Sequence, residues 1–187
     1  MTGRLFLIVG PSGAGKDTVI ARLAAQAAPG DGVMIARRAI TRPPHPGDAE
    51  RHVPVTPDAF ARLRAAGAFA LDWESHGLRY GVGAEVRAWL AAGMTVVANG
   101  SRAALPQARA AFGRALIVTG IAARPETLTA RLAARGRESA QEIAARLERS
   151  AGLPPAPVDL TIRNDAAPDE AAAALLAAIR QRAAIRA

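Results

Sequence analysis

The sequence predicts an α/β protein, a parallel sheet flanked by helices, on three observations. Apolar strand-like runs alternate with helical patterns along most of the chain, as crossover connections between parallel strands require. The first apolar run leads directly into a glycine-rich turn and a helix, GPSGAGKD at residues 10–17. The 187 residues, half of them hydrophobic, suffice for one well-filled core.

The elements follow in order. Arg4 to Val9 (RLFLIV) is apolar and stopped by Gly10-Pro11, so it reads as a buried strand. Asp17 to Ala28 sets Val19, Ile20, Leu23 and Ala24 on one helical face, and Val33 to Ile40 reads as a second strand. Thr41 to Asp48 (TRPPHPGD) holds three prolines and a glycine, which forbid regular structure. His52 to Val55 is a short strand, and Thr56-Pro57 supplies an N-cap and a first-turn proline for a helix to about Ala66. Phe69 to Trp73 and Leu78 to Gly81 are short extended pieces.

From Ala84 the alternation is regular: helix Glu85 to Ala92, strand Met94 to Ala98, helix Ala103 to Phe112, strand Ala115 to Ile121. Pro125 opens a helix that Arg135-Gly136-Arg137 breaks, and a further helix covers about Ala140 to Ala151. Pro154 to Pro157 links to a last strand, Val158 to Arg163, and an alanine-rich helix from Pro168 to Arg186 closes the chain. No repeat and no independent second domain is visible. The expected organisation is one domain, with a core of about 1–36 and 82–187 and an irregular insertion at about 37–81.

Composition narrows the function. The absence of cysteine excludes disulfides, zinc–thiolate sites, iron–sulfur clusters and thiol nucleophiles. The net charge of +8 and pI of about 11.5 call for an anionic partner. Nucleic-acid binders cluster their basic residues and offer aromatics for stacking; here the arginines are scattered and only 4% of residues are aromatic. A small phosphorylated ligand fits better, and no nucleic acid is expected. The longest early apolar run, Leu5 to Val9, is too short for a signal segment or a membrane span, so a cytoplasmic protein with no membrane partner is expected. Lys16 is the only lysine among 24 basic residues, and it sits in the glycine-rich turn.

That turn matches G-x-x-x-x-G-K with a strand before it and a helix after it, the context of a P-loop. Gly10, Gly13 and Gly15 let backbone N–H groups converge on a phosphate, with Pro11, Ser12 and Ala14 completing the loop. The helix beginning at Lys16 adds its positive end. Lys16 itself reaches the β- and γ-phosphates of ATP. The following position is ordinarily Ser or Thr, which binds Mg²⁺; here it is Asp17, with Thr18 next. Asp17 is a candidate metal ligand, directly or through water, or a complement to the helix dipole. Arg135, Arg137 and, on the following helix, Arg146 could close over a triphosphate as a lid at about 131–147.

The strings GPSGAGKD, TRPPHPGD, LRYGV, ARGRESAQEIAARL and IRND, in this order over nearly the whole chain, resemble the guanylate kinase-like branch of the P-loop nucleoside monophosphate kinases. The resemblance implies a P-loop NTPase fold with an acceptor-binding insertion at about 37–81 and a lid. It implies ATP and Mg²⁺ as cofactors, Arg42 and Tyr80 on the acceptor phosphate, and Asn164 near the adenine end. It also assigns Arg135, Arg137 and Arg146 to the transfer site.

The departures redirect the acceptor. That family reads guanine with carboxylates; here the first is expected at Asp72 beside Trp73. The strand end reads Asn99-Gly100-Ser101-Arg102, without its acidic pair and with an added arginine. His45 replaces a phosphate-binding arginine, and Arg38 replaces a small serine. Such a site disfavours a purine and favours a second phosphate, with Ser101 and Arg102 joining Arg42, Tyr80 and Asp72 at the acceptor. The strings GKD, ALDWESHGLRYGVG and NGSRAALPQAR resemble the members that phosphorylate ribose 1,5-bisphosphate. This implies ATP-dependent formation of 5-phosphoribosyl 1-diphosphate, in phosphonate catabolism. The alternative within the family is phosphorylation of GMP; a catalytically silent binding module is disfavoured by Lys16 and the lid arginines.

Overall fold

The computed structural model describes residues 3–44, 50–134, 139, 141–142, 144–145 and 157–184. The expected parallel sheet is present. Its order is β2 (Val33–Ala36), β7 (Thr95–Asn99), β1 (Arg4–Val9), β8 (Leu116–Ala122) and β9 (Leu160–Arg163), every pair parallel.

Strand alternation divides the core between the two faces of this sheet. Leu5, Leu7 and Val9 of β1 point one way, against α3 (Glu85–Ala91) and α4 (Leu105–Phe112). Phe6 and Ile8 point the other way, toward α1 (Lys16–Gln26), α5 (Pro125–Ala134) and α6 (Pro168–Ala184). β1 is therefore apolar throughout, and its C-terminal end delivers the glycine-rich loop between the two layers.

A second sheet of four strands stands beside the first. Its order is β4 (Val53–Pro54), β3 (Arg38–Ile40), β6 (Leu78–Gly83) and β5 (Phe69–Ser75), with α2 (Pro57–Ala65) packed on it. Phe60 of α2 stacks on Phe69 of β5 at 4.7 Å. The expected single strand Val33 to Ile40 is two strands. The chain leaves the parallel sheet after Ala36, and Arg38 begins an antiparallel pairing with β6. The break falls at Arg37, whose exposed guanidinium donates to the Arg51 carbonyl at 2.7 Å. An apolar run with a basic pair inside it thus serves two sheets. The expected helix from Ala103 is preceded by a 3₁₀ turn, Arg102–Ala104, capped by the Ser101 hydroxyl.

Candidate active site

The glycine-rich loop is held open by its backbone. Gly13 and Gly15 have φ of 85° and 83°, in the left-handed region. Gly15 is the N-cap of α1, and no side chain caps that helix. Its first N–H groups therefore face the loop cavity as an anion site. The Lys16 ammonium donates to the Gly10 and Pro11 carbonyls at 2.9 and 3.1 Å. These contacts hold it beside the loop, where a phosphate would find it. From behind, the Asn164 amide donates to the Ala14 carbonyl at 2.7 Å. Arg131 donates to the Asn164 carbonyl at 2.8 Å.

Asn164 is only 1% exposed. In this structure it braces the loop from beneath, a role the sequence did not reveal. Arg131, on the same brace, was likewise not singled out.

Asp17 lies in the first turn of α1 and is 39% exposed. Its Oδ1 accepts from the Asn99 amide and lies 3.5 Å from the Arg38 guanidinium. Both contacts fall on one oxygen, so the carboxylate can present the other to a hard cation, directly or through water. Among the described residues no cluster of three His, Asp or Glu side chains forms a metal cage. That is the ordinary situation for Mg²⁺, which is held by one or two carboxylates together with substrate phosphates. The residues present fit it.

Arg38 and Glu50 form the other wall. Arg38 is 8% exposed, and its fork meets both oxygens of Glu50, with Nε donating to Oε1 at 2.7 Å. Burial works against the charge, but Glu50 and then Asp17 outweigh it and hold the Arg38 pKa above its ordinary value. Its guanidinium lies 5.2 Å from the centre of the Tyr80 ring. Tyr80 in turn stacks on Trp73 at 5.4 Å with planes 5° apart. Burial raises the Tyr80 pKa, while Arg38 and Arg42 act in the opposite direction; at neutral pH the phenol keeps its proton. The segment carrying Arg42 is fixed beside β6 by two hydrogen bonds: Thr41 N donates to the Arg79 carbonyl, and Arg79 N donates to the Thr41 hydroxyl. Buried His52 donates from Nε2 to the Arg42 carbonyl at 3.2 Å.

One expected acceptor residue faces away from the others. Asp72 pairs across the sheet with Gly81, whereas Trp73 pairs with Tyr80. Successive strand residues face opposite sides, so Asp72 points away from Tyr80. Its carboxylate binds Arg64 of α2 at 2.9 Å, on the far face of the second sheet. Leu71, fully buried, is on the Tyr80 side. Asp72 is therefore not brought together with Tyr80 and Arg38. Ser101 and Arg102 lie at the start of the 3₁₀ turn that follows Asn99 of β7. Glu50 carries no local sequence signal beyond its charge. Arg135, Arg137 and Arg146 of the expected lid, and His45, lie outside the described residues.

A phosphate cradle at the C-terminal ends of parallel strands, faced by an arginine-lined second sheet, defines a P-loop phosphotransferase. A family model described as guanylate kinase matches residues 2–182. The chain belongs to the guanylate kinase family. Among similar proteins, ribose 1,5-bisphosphate phosphokinase PhnN of Achromobacter xylosoxidans is 47% identical over 176 residues, covering 92% of this chain and 90% of that one. The protein of the same name from Laribacter hongkongensis is 52% identical over 161 residues, 86% of this chain but 38% of that longer protein. Among solved structures, guanylate kinase from Anaplasma phagocytophilum shares the fold at a TM-score of 0.72 and 18% identity, over 96% of this chain and 86% of that one.

Proposed function

We propose that this protein transfers the γ-phosphoryl group of ATP to the 1-phosphate of ribose 1,5-bisphosphate, giving 5-phosphoribosyl 1-diphosphate and ADP. The observation that carries this reading is the composition of the acceptor wall. Arg38, paired with Glu50, lies over the Tyr80 ring, Arg42 acts on Tyr80 electrostatically, the strand end carries Asn99 and Ser101 in place of carboxylates, and Asp72 is turned away. The relatives named for that activity point the same way. The guanylate kinase alternative has the fold alone behind it.

The chemistry needs no general base. A phosphate monoester with a second pKa near 6 is already mostly dianionic at neutral pH. One of its oxygens attacks the γ-phosphorus, the bond from that phosphorus to the β,γ-bridging oxygen breaks, and ADP leaves. Catalysis is then positioning and charge neutralisation. Lys16 swings from the loop carbonyls to the β- and γ-phosphates, and the N-terminus of α1 receives the same charge. Bound Mg²⁺ supplies further neutralisation of the transferring phosphates. Asp17, oriented by Asn99, is the residue that would hold it, with Thr18 beside it. Arg42, Tyr80, Ser101 and Arg102 hold the bisphosphate, and Arg135, Arg137 and Arg146 close over the transferring group. Asn164 keeps the loop in register beneath the nucleotide. The setting is phosphonate catabolism in the cytoplasm.

The test is phosphoryl transfer from ATP-Mg²⁺ with ribose 1,5-bisphosphate and GMP as parallel acceptors. Turnover of the bisphosphate to 5-phosphoribosyl 1-diphosphate, in strong preference to GMP, is expected. Preference for GMP would overturn the reading.

A further inference from the structure

Three positions where the sequence departs from the guanylate kinase pattern are Asp17, Arg38 and Asn99. They lie far apart in the chain, on α1, β3 and β7, yet form one continuous chain of contacts. Asn99 donates to Asp17 Oδ1, and Arg38 approaches the same oxygen at 3.5 Å. Arg38 continues the chain to Glu50 and to the face of Tyr80. A buried charge pair is no cheap way to fill space, since apolar side chains of similar volume commonly serve stability as well or better. Stability alone does not explain a buried arginine here.

The topology shows what it does to the pocket. β6, carrying Tyr80, runs between β5, carrying Trp73, and β3, carrying Arg38. Trp73 therefore covers the Tyr80 ring from one side and Arg38 from the other. Both faces of the sole tyrosine are covered, by an indole and by a guanidinium that Glu50 locks in place. A planar base entering beside Tyr80 would have to displace a doubly paired, buried cation. A non-aromatic acceptor makes no such demand, because it needs no ring face to stack on.

We propose that Arg38 sets the acceptor class of this site: held by Glu50 and Asp17, it occupies the Tyr80 face, shuts out nucleobases and leaves a phosphorylated sugar as the acceptor. The proposal rests on the function proposed above. Arg38 acts here as a specificity-determining residue through what it covers.

The experiment compares wild type with Arg38→Ala/Glu50→Gln, which opens the ring face without leaving Glu50 as a buried, unpaired carboxylate. The readouts are kcat/KM for ribose 1,5-bisphosphate and for GMP, KM for ATP, calorimetric binding of GMP, and thermal melting. Stacking one base on an aromatic ring is worth about 10- to 100-fold. The ratio of bisphosphate to GMP should fall by at least that factor, with GMP bound more tightly. An unchanged ratio and unchanged GMP affinity in a folded variant would overturn the proposal. If the double variant does not fold, Arg38→Lys tests the same point, because it keeps the charge and loses the planar cover. Tighter GMP binding is expected there too, and its absence would overturn the proposal. If wild type fails to turn over the bisphosphate, the functional reading falls. GMP binding to wild type and variant still decides, by itself, whether Arg38 covers the ring.

Discussion

The two halves of the cleft are built by different means. The donor half is a backbone device: left-handed Gly13 and Gly15, an uncapped helix start and one lysine, all within eight residues. The acceptor half is a side-chain device. Arg38, Glu50, Tyr80 and Trp73 come from three strands and a loop, and each depends on the others for its orientation. A backbone device binds any polyphosphate of the right shape, whereas a side-chain device can be rewritten by single substitutions. The chain shares the fold of a guanylate kinase at 18% identity, and on this contrast substitutions should alter its acceptor half more readily than its donor half.

The largest effect should come from the donor half. Lys16→Ala removes the only ammonium at the phosphates and should lower kcat by at least about 100-fold, as losing one transition-state donor typically does. The loss should be equal for every acceptor, with the melting temperature unchanged. A loss confined to one acceptor would break the comparison.

Gly15→Ala probes the same half through its backbone. A Cβ there would approach the Asn164 amide nitrogen to 2.5 Å, at a φ of 83°. A non-glycine residue in this region costs about 1–3 kcal/mol, or roughly 2–10 °C in Tm for a chain of this size. Because Asn164 also braces Ala14, ATP binding should weaken along with stability. A variant as stable as wild type, with normal KM for ATP, would show that the brace does not set the loop.

The same contrast decides what the sequence could reveal. The donor loop was legible because its parts are contiguous and their spacing is itself the geometry. The sheet was legible because β1, β7 and β8 are apolar on both faces. The acceptor wall was legible only in outline. Asp72 adjoins Trp73 in sequence, yet adjacency in a strand means opposite faces, so it does not share the Tyr80 side. A β-bulge between Phe69 and Leu71 further shifts the register. The Arg38–Glu50 fork joins residues twelve apart across a proline-rich segment, a pairing no local pattern encodes. The split of Val33 to Ile40 into two strands was hidden because apolar residues lie on both sides of the Arg37-Arg38 pair, and the sequence does not tell that Arg37 is exposed while Arg38 is buried.

A second arginine–carboxylate fork sharpens the comparison at its smallest scale. Arg180 of α6 donates to both oxygens of Asp31 at 2.7 and 2.8 Å, and Ala28 N donates to the same carboxylate. It resembles the Arg38–Glu50 fork in geometry, but it lies away from the cleft and joins two parts of the core layer. The Arg180 hydrogen bonds, then the Ala28 N–H, lower the Asp31 pKa from 3.8 to about 2. A depressed folded-state pKa gives stability that is fully present above the unfolded value and is lost as pH falls toward the folded one. Asp31→Asn should therefore lower the denaturant midpoint slightly at pH 7, and the gap to wild type should narrow as the pH falls from about 4 toward about 2. Acceptor preference should not change at any pH where both proteins are folded. If it did, the two forks would belong to one system, and specificity could not be assigned to the acceptor wall alone.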